Sequence, residues 1–474
     1  MTVHNEAGGR LNGSIVQAGS IHHVSLAHSS MAPVVPRQLP LAIRDFVGRT
    51  EHLAALDALL PTEEAGTVVI SALDGTGGVG KTTLAVHWAH SVQDRFPDGT
   101  LYVNLRGYGP GEPATPTEVL DGFLRALGCP PEGIPIGQEA QAGLYRSLLA
   151  GCRVLIVLDN ANTADQVRPL LPGSAGCLVL ITSRASLIGL VISESAIRVT
   201  LDLLTPQEAV DLVRSIIGND RAASEPESVA QLTQLCARLP LALRIAAHRA
   251  AAHPQSPIAE LVAELSDMQT RLDYLTVPGD ELATVRTVLS WSDRILPADQ
   301  ARMFRLLGLH PGPHISADAA SALADISPLD ARFLLDGLAD AHLLNHTASN
   351  RYAFHDLLRV YANERVHQLE SDSERDAAIS RLLGWYLHVT DNATRHFDHG
   401  RRPILRDADP PNYPLITTTQ SEAIKWLEVE ASNLLAVTRI AAEMNLHGMA
   451  WQLPAANISS LVMPLDDQIE MYTT

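Results

Sequence analysis

The stretch VVISALDGTGGVGKTTLAVHWAHSVQ, residues 68–93, decides the fold. Its first six residues, Val68 to Leu73, form an unbroken apolar run, the pattern of a central parallel strand buried on both faces. The run leads straight into GTGGVGKT, Gly75 to Thr82, which fits G-x-x-x-x-G-K-[ST], the phosphate-cradling P-loop. Gly75, Gly77, Gly78 and Gly80 let the backbone turn its N–H groups, Val79 included, inward on phosphates. Thr82 and Thr83 then open a helix whose N-terminal dipole favours anions, and the Thr82 hydroxyl suits Mg²⁺. Lys81 is one of two lysines in the chain, with Lys425, in a protein that otherwise takes its positive charge from arginine. A lysine is a compact, flexible point charge that can curl over the loop and sit between the β- and γ-phosphates of a nucleotide.

At 474 residues the chain has length for about three domains. A hydrophobic content of 46% and a mean hydropathy of +0.06 describe a soluble, globular protein, and no apolar stretch approaches the roughly 20 residues of a membrane span. The start, MTVHNEAGGR, lacks the apolar core of a secretory signal. Four widely spaced cysteines indicate neither a zinc site nor a disulfide framework, so the expected location is cytoplasmic. The formal net charge of −18 argues against broad electrostatic attachment to nucleic acid and disfavours direct DNA binding.

Residues 1–40 read as a leader rich in Gly, Ser, His and Pro, without a stable domain. From 41 to 204, strand-like and helix-like segments alternate (VVISAL, TLYVNL, RVLIVLD, CLVLITS, AIRVTLDLL), which builds a parallel sheet with helices on both faces. Strand signals stop after Leu204, and 205–280 reads as an all-α helical subdomain of successive amphipathic helices. Residues 281–370 combine helices with an expected hairpin, LLNHTASNRYAFH, turned at Ala348, Ser349 and Asn350, the outline of a winged-helix domain. The remainder, 371–474, is a C-terminal α-helical segment with a loop near 400–420.

RVLIVLDN, Arg153 to Asn160, is an apolar strand ending in Asp159, and a carboxylate at the tip of a strand next to the P-loop strand can hold Mg²⁺ and its water shell. Asn160 follows, where rapid NTPases place a second carboxylate to activate water. An amide cannot accept a proton at neutral pH, so at most a slow ATPase is expected. CLVLITSR ends in Arg184, a strand-tip guanidinium within reach of a γ-phosphate. The pairs His87/His90 and His342/His346 have metal-like spacing without carboxylate or cysteine partners, and read as solvated helix faces.

FVGR (46–49), the P-loop, LYVNLRGYG, VLIVLDN, ITSR, LPLAL (239–243) and FHDLL (354–358) occur in the order seen in NB-ARC proteins, so residues 41–450 resemble that group of STAND-class signal-transducing NTPases. Within that group the chain resembles the actinobacterial regulators related to antibiotic-regulatory proteins. The resemblance implies ADP/ATP and Mg²⁺ as cofactors, with Val47 and Arg49 near adenine and ribose and Lys81 and Thr82 on the phosphates. It further implies Asp159 on the metal, Arg184 at the γ-phosphate and Pro240 against adenine. His355, in the place of the family's Met-His-Asp motif, would reach the β-phosphate of ADP, buttressed by Asp356. The motif here reads Phe-His-Asp, a change expected to affect packing more than contact. The function implied by the resemblance is a switch that exchanges ADP for ATP, opens and forms a homo-oligomer. The competing readings are a transcriptional regulator acting through DNA or a DNA-binding partner, and an ordinary P-loop ATPase or kinase.

At the N-terminus, NGSIVQAGSIHHVSL has high β-propensity without proline or charge, as a short cross-β segment does. Residues 11–26 resemble amyloid signalling motifs of bacterial NLR-like receptors, which implies a downstream effector with a matching segment; a disordered leader is the alternative. At the other end, EAIKWLEVEASNLLAVTRIAAEMNLHGMAWQLP resembles the entry to tetratricopeptide repeats, and ANISSLVMPLDDQIEMYTT does not continue them. One helical pair makes no stable array, so the expectation is a truncated repeat region.

Overall fold

The computed structural model describes residues 35–60, 69–109, 111–277, 279, 284–348, 350–397, 411–415 and 417–456. The proposed signalling segment 11–26 and the C-terminal stretch 457–474 lie outside the described residues. In the first part of the chain, α1 (Thr50–Asp57), β1 (Val69–Asp74), α2 (Lys81–Val92), β2 (Gly99–Asn104), α3 (Pro116–Ala126), α4 (Gln138–Leu148) and β3 (Val154–Ala161) follow in order. Next come α5 (Ala164–Val167), β4 (Leu178–Ser183), α6 (Ile188–Glu194) and β5 (Ile197–Thr200). The five strands are parallel, in the order β2-β3-β4-β1-β5.

Strand alternation divides the core in two. On β3, Leu155 and Val157 face a core with Leu84, Ala85 and Trp88 of α2, while Val154, Ile156 and Leu158 face one with Phe123 and Leu124 of α3 and Tyr145 of α4. Both faces of the sheet are therefore covered, which is why the strands read as continuous apolar runs. The expected place of Asp159 needs one correction. Its strand is not next to β1, because β4 lies between them.

Helices fill the middle of the chain: α7 (Pro206–Ile217), α8 (Asn219–Ser224), α9 (Pro226–Leu235), α10 (Pro240–Ala252), α11 (Ile258–Ser266) and α12 (Arg271–Tyr274). Thr205 starts α7 with a reciprocal capping box to Glu208, the device that ends the strand pattern sharply. Beyond it lie α13 (Val285–Asp293), α14 (Ala298–Leu307), β6 (Ile315–Ser316), α15 (Ala317–Ala324), α16 (Pro328–Asp340), β7 (Asn345–Ala348), β8 (Arg351–Ala353) and α17 (Asp356–Leu369). The three short strands form an antiparallel sheet in the order β6-β8-β7. Finally α18 (Asp372–Thr394), α19 (Gln420–Glu443) and α20 (His447–Ala456) pack together. Among the described residues, no helix is long and apolar enough to cross a membrane.

The segment before α1 is tied to the open edge of β2. Thr100 N donates to Pro36 O at 2.8 Å, Gln38 N donates to Thr100 O at 3.1 Å, and the Arg37 guanidinium donates to the Phe96 carbonyl at 3.2 Å. Gly99 permits this approach: its φ is +133°, and a Cβ there would come within 2.7 Å of the Pro36 ring. We expect Gly99→Ala to lower stability by about 1–3 kcal/mol through strain and lost edge pairing, seen as a fall in Tm on thermal unfolding. An unchanged Tm would contradict this account of the edge.

Candidate functional site

The P-loop joins β1 to α2, and three of its glycines occupy positive φ: Gly75 at 144°, Gly78 at 80° and Gly80 at 97°. Gly80 caps α2 in the left-handed region, so Lys81 begins the helix. The Lys81 ammonium turns back over the loop, donating to Gly75 O at 2.7 Å and Thr76 O at 2.8 Å. Burial, with the nearby Arg184 charge adding to it, pushes its pKa down to about 7.

Asp159 accepts three hydroxyl hydrogen bonds. Thr82 Oγ1 donates to Oδ1 at 2.7 Å, Thr182 Oγ1 donates to the same oxygen at 2.6 Å, and the Tyr102 hydroxyl donates to Oδ2 at 3.1 Å. Although β4 intervenes, α2 packs across β3 and β4 and carries Thr82 over to the carboxylate. Burial and the adjacent Asp159 raise the Tyr102 pKa, so the phenol stays protonated and donates. A threonine hydroxyl beside a carboxylate is a set of hard oxygen donors, which fits Mg²⁺, and the positive-φ glycines form a cradle that fits phosphates. The sequence reading missed Tyr102 and Thr182; each sits inside an apolar strand run, where a hydroxyl carries no spacing signal.

Asn160 is left-handed at φ 59°, and its side-chain amide donates to Tyr108 O at 2.7 Å. Arg184 is almost wholly buried, with its guanidinium 5.1 Å from the ring centroid of Tyr108 and 5.5 Å from that of Trp291 of α13. Its Nη1 donates to Val288 O at 2.5 Å and to Ser292 Oγ at 3.1 Å, both on α13. The guanidinium also lies against the P-loop, since a Cβ on Gly77 would meet Nη1 at 2.8 Å. Burial pushes its pKa down to about 10, so it remains charged at neutral pH. Thus Arg184 combines contact with the loop with an attachment to α13 that the sequence did not suggest.

Arg49 is buried, in the left-handed region at φ 63°, and its backbone N donates to Glu208 Oε1 at 2.6 Å while Nη2 donates to Val79 O at 3.0 Å. Val47 packs into the core beside it. Pro240 opens α10 with its ring 3.9 Å from where a Gly80 Cβ would stand, and Leu241 N donates to Gly78 O at 3.2 Å. Arg49, Val79, Pro240, Lys81, Thr82 and Asp159 are therefore gathered around one loop.

His355 precedes α17, and its Nδ1 is buried without a hydrogen-bond partner. Burial pushes its pKa down to about 4; Asp356 opposes the shift, while Arg238 and Arg359 add to it. The imidazole is thus neutral at pH 7, and it lies within electrostatic reach of Arg238, just ahead of the segment that touches Gly78. Asp356 is exposed, and acts on His355 through charge.

Of the four histidines expected on solvated helix faces, His346 is exposed, on strand β7, while His87, His90 and His342 are partly buried and in contact with other groups. His87 stacks on Phe46 with ring centroids 4.0 Å apart, and His90 Nε2 lies 2.8 Å from Pro40 O. His342 sits in a turn at φ 53°, with Nε2 3.5 Å from the buried Asp74, which Arg198 also pairs. Burial alone would raise the Asp74 pKa, but bonding with His342, Thr200 and Arg198 holds it below the usual range. These contacts fill packing gaps that spacing alone does not reveal.

The NB-ARC domain model matches residues 49–223. Over 426 residues the chain is 44% identical to the regulatory protein AfsR of Streptomyces coelicolor, covering 88% of this chain and 42% of that protein. It is 43% identical over 413 residues to AfsR of Streptomyces griseus, covering 87% and 42%. The chain spans about two fifths of the length of these curated relatives. Among solved structures, a STAND protein with a tetratricopeptide repeat sensor from Pyrococcus horikoshii aligns over 92% of this chain and 61% of its own, at 17% identity and a TM-score of 0.31. Residues 49–223, which hold the P-loop, therefore form an NB-ARC domain, in a chain similar to these regulatory proteins over most of its own length.

Proposed function

We propose that this protein is a nucleotide-dependent switch that retains ADP in a closed form and exchanges it for ATP to open and oligomerise. The observation that carries the reading is the docking of the later helices on the nucleotide loop. Arg184 bonds α13, Val288 reaches the space above Gly77, Ser186 N donates to Asp340 O at 3.3 Å, and His342 meets Asp74 at the foot of the loop. A nucleotide that alters any of these contacts shifts the balance between closed and open forms by its difference in affinity for the two.

In this reading Lys81, Thr82 and Thr83 hold the phosphates, with the backbone N–H groups of Gly75, Gly77, Gly78, Val79 and Gly80, and Thr82 and Asp159 hold Mg²⁺. Val47, Arg49 and Pro240 surround the base and ribose. Arg184 answers to the γ-phosphate, and His355 holds the β-phosphate of ADP. Residues 41–204 act as the nucleotide-binding domain, 205–280 as the helical subdomain, 281–370 as a winged helix and 371–474 as the start of a repeat region, in a cytoplasmic protein. Its partners are the nucleotide, further copies of the chain and an effector engaged through residues 11–26. Bound Mg²⁺ would supply charge neutralisation at the phosphates.

The similarity to AfsR favours a second reading, a transcriptional regulator of the antibiotic-regulatory type acting through DNA or a DNA-binding partner. Retardation of DNA by the purified chain would favour it, and turnover above about 1 per second would instead favour an ordinary ATPase.

Two outcomes are expected. A neutral imidazole donating to a charged phosphate contributes about 1.5–3 kcal/mol, so His355→Ala should release ADP about 10–100 times faster. Purification with bound ADP, and its loss from the variant on gel filtration, checks this; unsubstituted protein that carries no nucleotide would overturn the switch. The second concerns Lys81, whose pKa burial lowers to about 7. At pH 8 the nucleotide-free protein holds it largely neutral, and a phosphate beside it restores the charge, so ADP binding should take up most of a proton. Calorimetry at pH 8 in buffers of different ionisation heat should show this uptake, which shrinks toward pH 6, where the lysine is already charged. A buffer-independent heat at pH 8 would contradict it.

A further inference from the structure

Glu430, in the middle of α19, has a relative exposure of 0%, yet it carries a carboxylate. Its Oε1 accepts from Arg351 Nη2, while Oε2 accepts from Asn433 Nδ2 at 2.5 Å and from the Tyr386 hydroxyl of α18 at 3.3 Å. On the other side, Arg351 Nη1 lies 2.6 Å from His314 Nδ1. His310 meets the Tyr386 hydroxyl at 3.2 Å, and burial with Arg359 beside it pushes its pKa down to about 3, so it is neutral. The charge of Glu430 is therefore answered by Arg351. The same helix presses on the loop ahead of β6: a Cβ on Gly312 would fall on Asn433 Oδ1, and Arg359 donates to Gly312 O at 2.5 Å.

Arg351 opens β8, and three residues lead from it to His355. None of the three is slack. Tyr352 is fully buried and its hydroxyl donates to Asp336 of α16 at 2.6 Å; Ala353 pairs with Asn345 of β7; Phe354 meets Phe304 of α14 edge-on at 5.4 Å. A buried ion pair adds little stability compared with an apolar pair of the same size, but separating its members strands a charge in the interior. Helix α19 and strand β8 are thus constrained to move together, and a packed, hydrogen-bonded element of this kind has discrete arrangements more than graded ones.

We propose that the Glu430–Arg351 bridge positions His355: it ties α19 to the strand that carries the histidine, so a displacement of α19 loosens the hold on a bound nucleoside diphosphate. Glu430 and Arg351 are positioning residues, acting through His355. The proposal rests on the reading of His355 as the nucleotide contact.

The test uses the full chain loaded with fluorescent ADP and chased with excess unlabelled ADP. Glu430→Gln keeps the shape and removes the charge, and it should speed release about tenfold in the unsubstituted background and less than about twofold when combined with His355→Ala. Tyr386→Phe leaves the ion pair and removes the hydroxyl that bonds both Glu430 and His310. It should speed release about two- to threefold, again only where His355 is present, and it decides the matter should Glu430→Gln fail to fold. Equal acceleration in both backgrounds would mean general loosening and would overturn the proposal, as would unchanged release in the variants with His355 intact. If His355→Ala itself releases ADP no faster than the unsubstituted chain, the nucleotide role of His355 falls first. If His355→Ala is fast while Glu430→Gln and Tyr386→Phe are not, the bridge falls alone.

Discussion

The backbone from Gly75 to Thr82 is approached so closely from every side that the rest of the molecule is arranged around it. A Cβ on Gly75 would stand 2.5 Å from Leu201 O, one on Gly77 would meet Arg184 and Val288, and one on Gly78 would meet Leu241. Each of these contacts comes from a different part of the chain: the segment after β5, the tip of β4, the start of α13 and the start of α10. The glycines that allow N–H groups to face a phosphate therefore also allow these other elements to rest on the loop. This shared requirement links nucleotide chemistry to the positions of the later helices, because a ligand that adjusts the loop adjusts its neighbours.

Burial acts on the electrostatics in one direction. Lys81 is pushed down to about 7, Arg184 to about 10 and His355 to about 4, in each case with desolvation as the largest cause. Basic groups held in a poorly solvated site, Lys81 and Arg184 as cations and His355 as a neutral donor, favour an incoming polyanion, since the anion recovers the interaction that burial removed. The Asp159 carboxylate accepts three hydroxyl donors on the side where a divalent ion would be held. Polarity around the loop is thus sorted, with donors and cations for phosphate and hard oxygens for metal.

The P-loop, the five strands and the end of the strand pattern at Leu204 were legible because each depends on local rules: apolar runs, glycine at positive φ, and a capping box. The sheet order was not, since no local signal places β4 between β1 and β3, and Asp159 consequently lies one strand farther from β1 than its sequence position suggests. The contacts of Arg184 with Val288 and Ser292 span more than a hundred residues and follow no period. His342 eludes a sequence reading for a related reason: its spacing from His346 resembles a helix face, yet it occupies a left-handed turn against a carboxylate far earlier in the chain, Asp74. Tyr102 and Thr182 stayed hidden because a hydroxyl in a buried strand looks like a packing choice until its acceptor is known.

Asn160 joins these observations. A carboxylate at this position would serve to activate water, but the left-handed backbone and the amide donated to Tyr108 O give the residue a structural task. Holding Tyr108 keeps its ring against Arg184, which also meets the Trp291 ring and whose hydrogen bonds fasten α13. An aspartate in place of Asn160 could not donate to the Tyr108 carbonyl, and its charge would compete for Arg184. Gaining a base would therefore weaken the support under the guanidinium that connects the loop to α13. The two demands oppose each other at one residue, and the amide resolves them in favour of holding the units together.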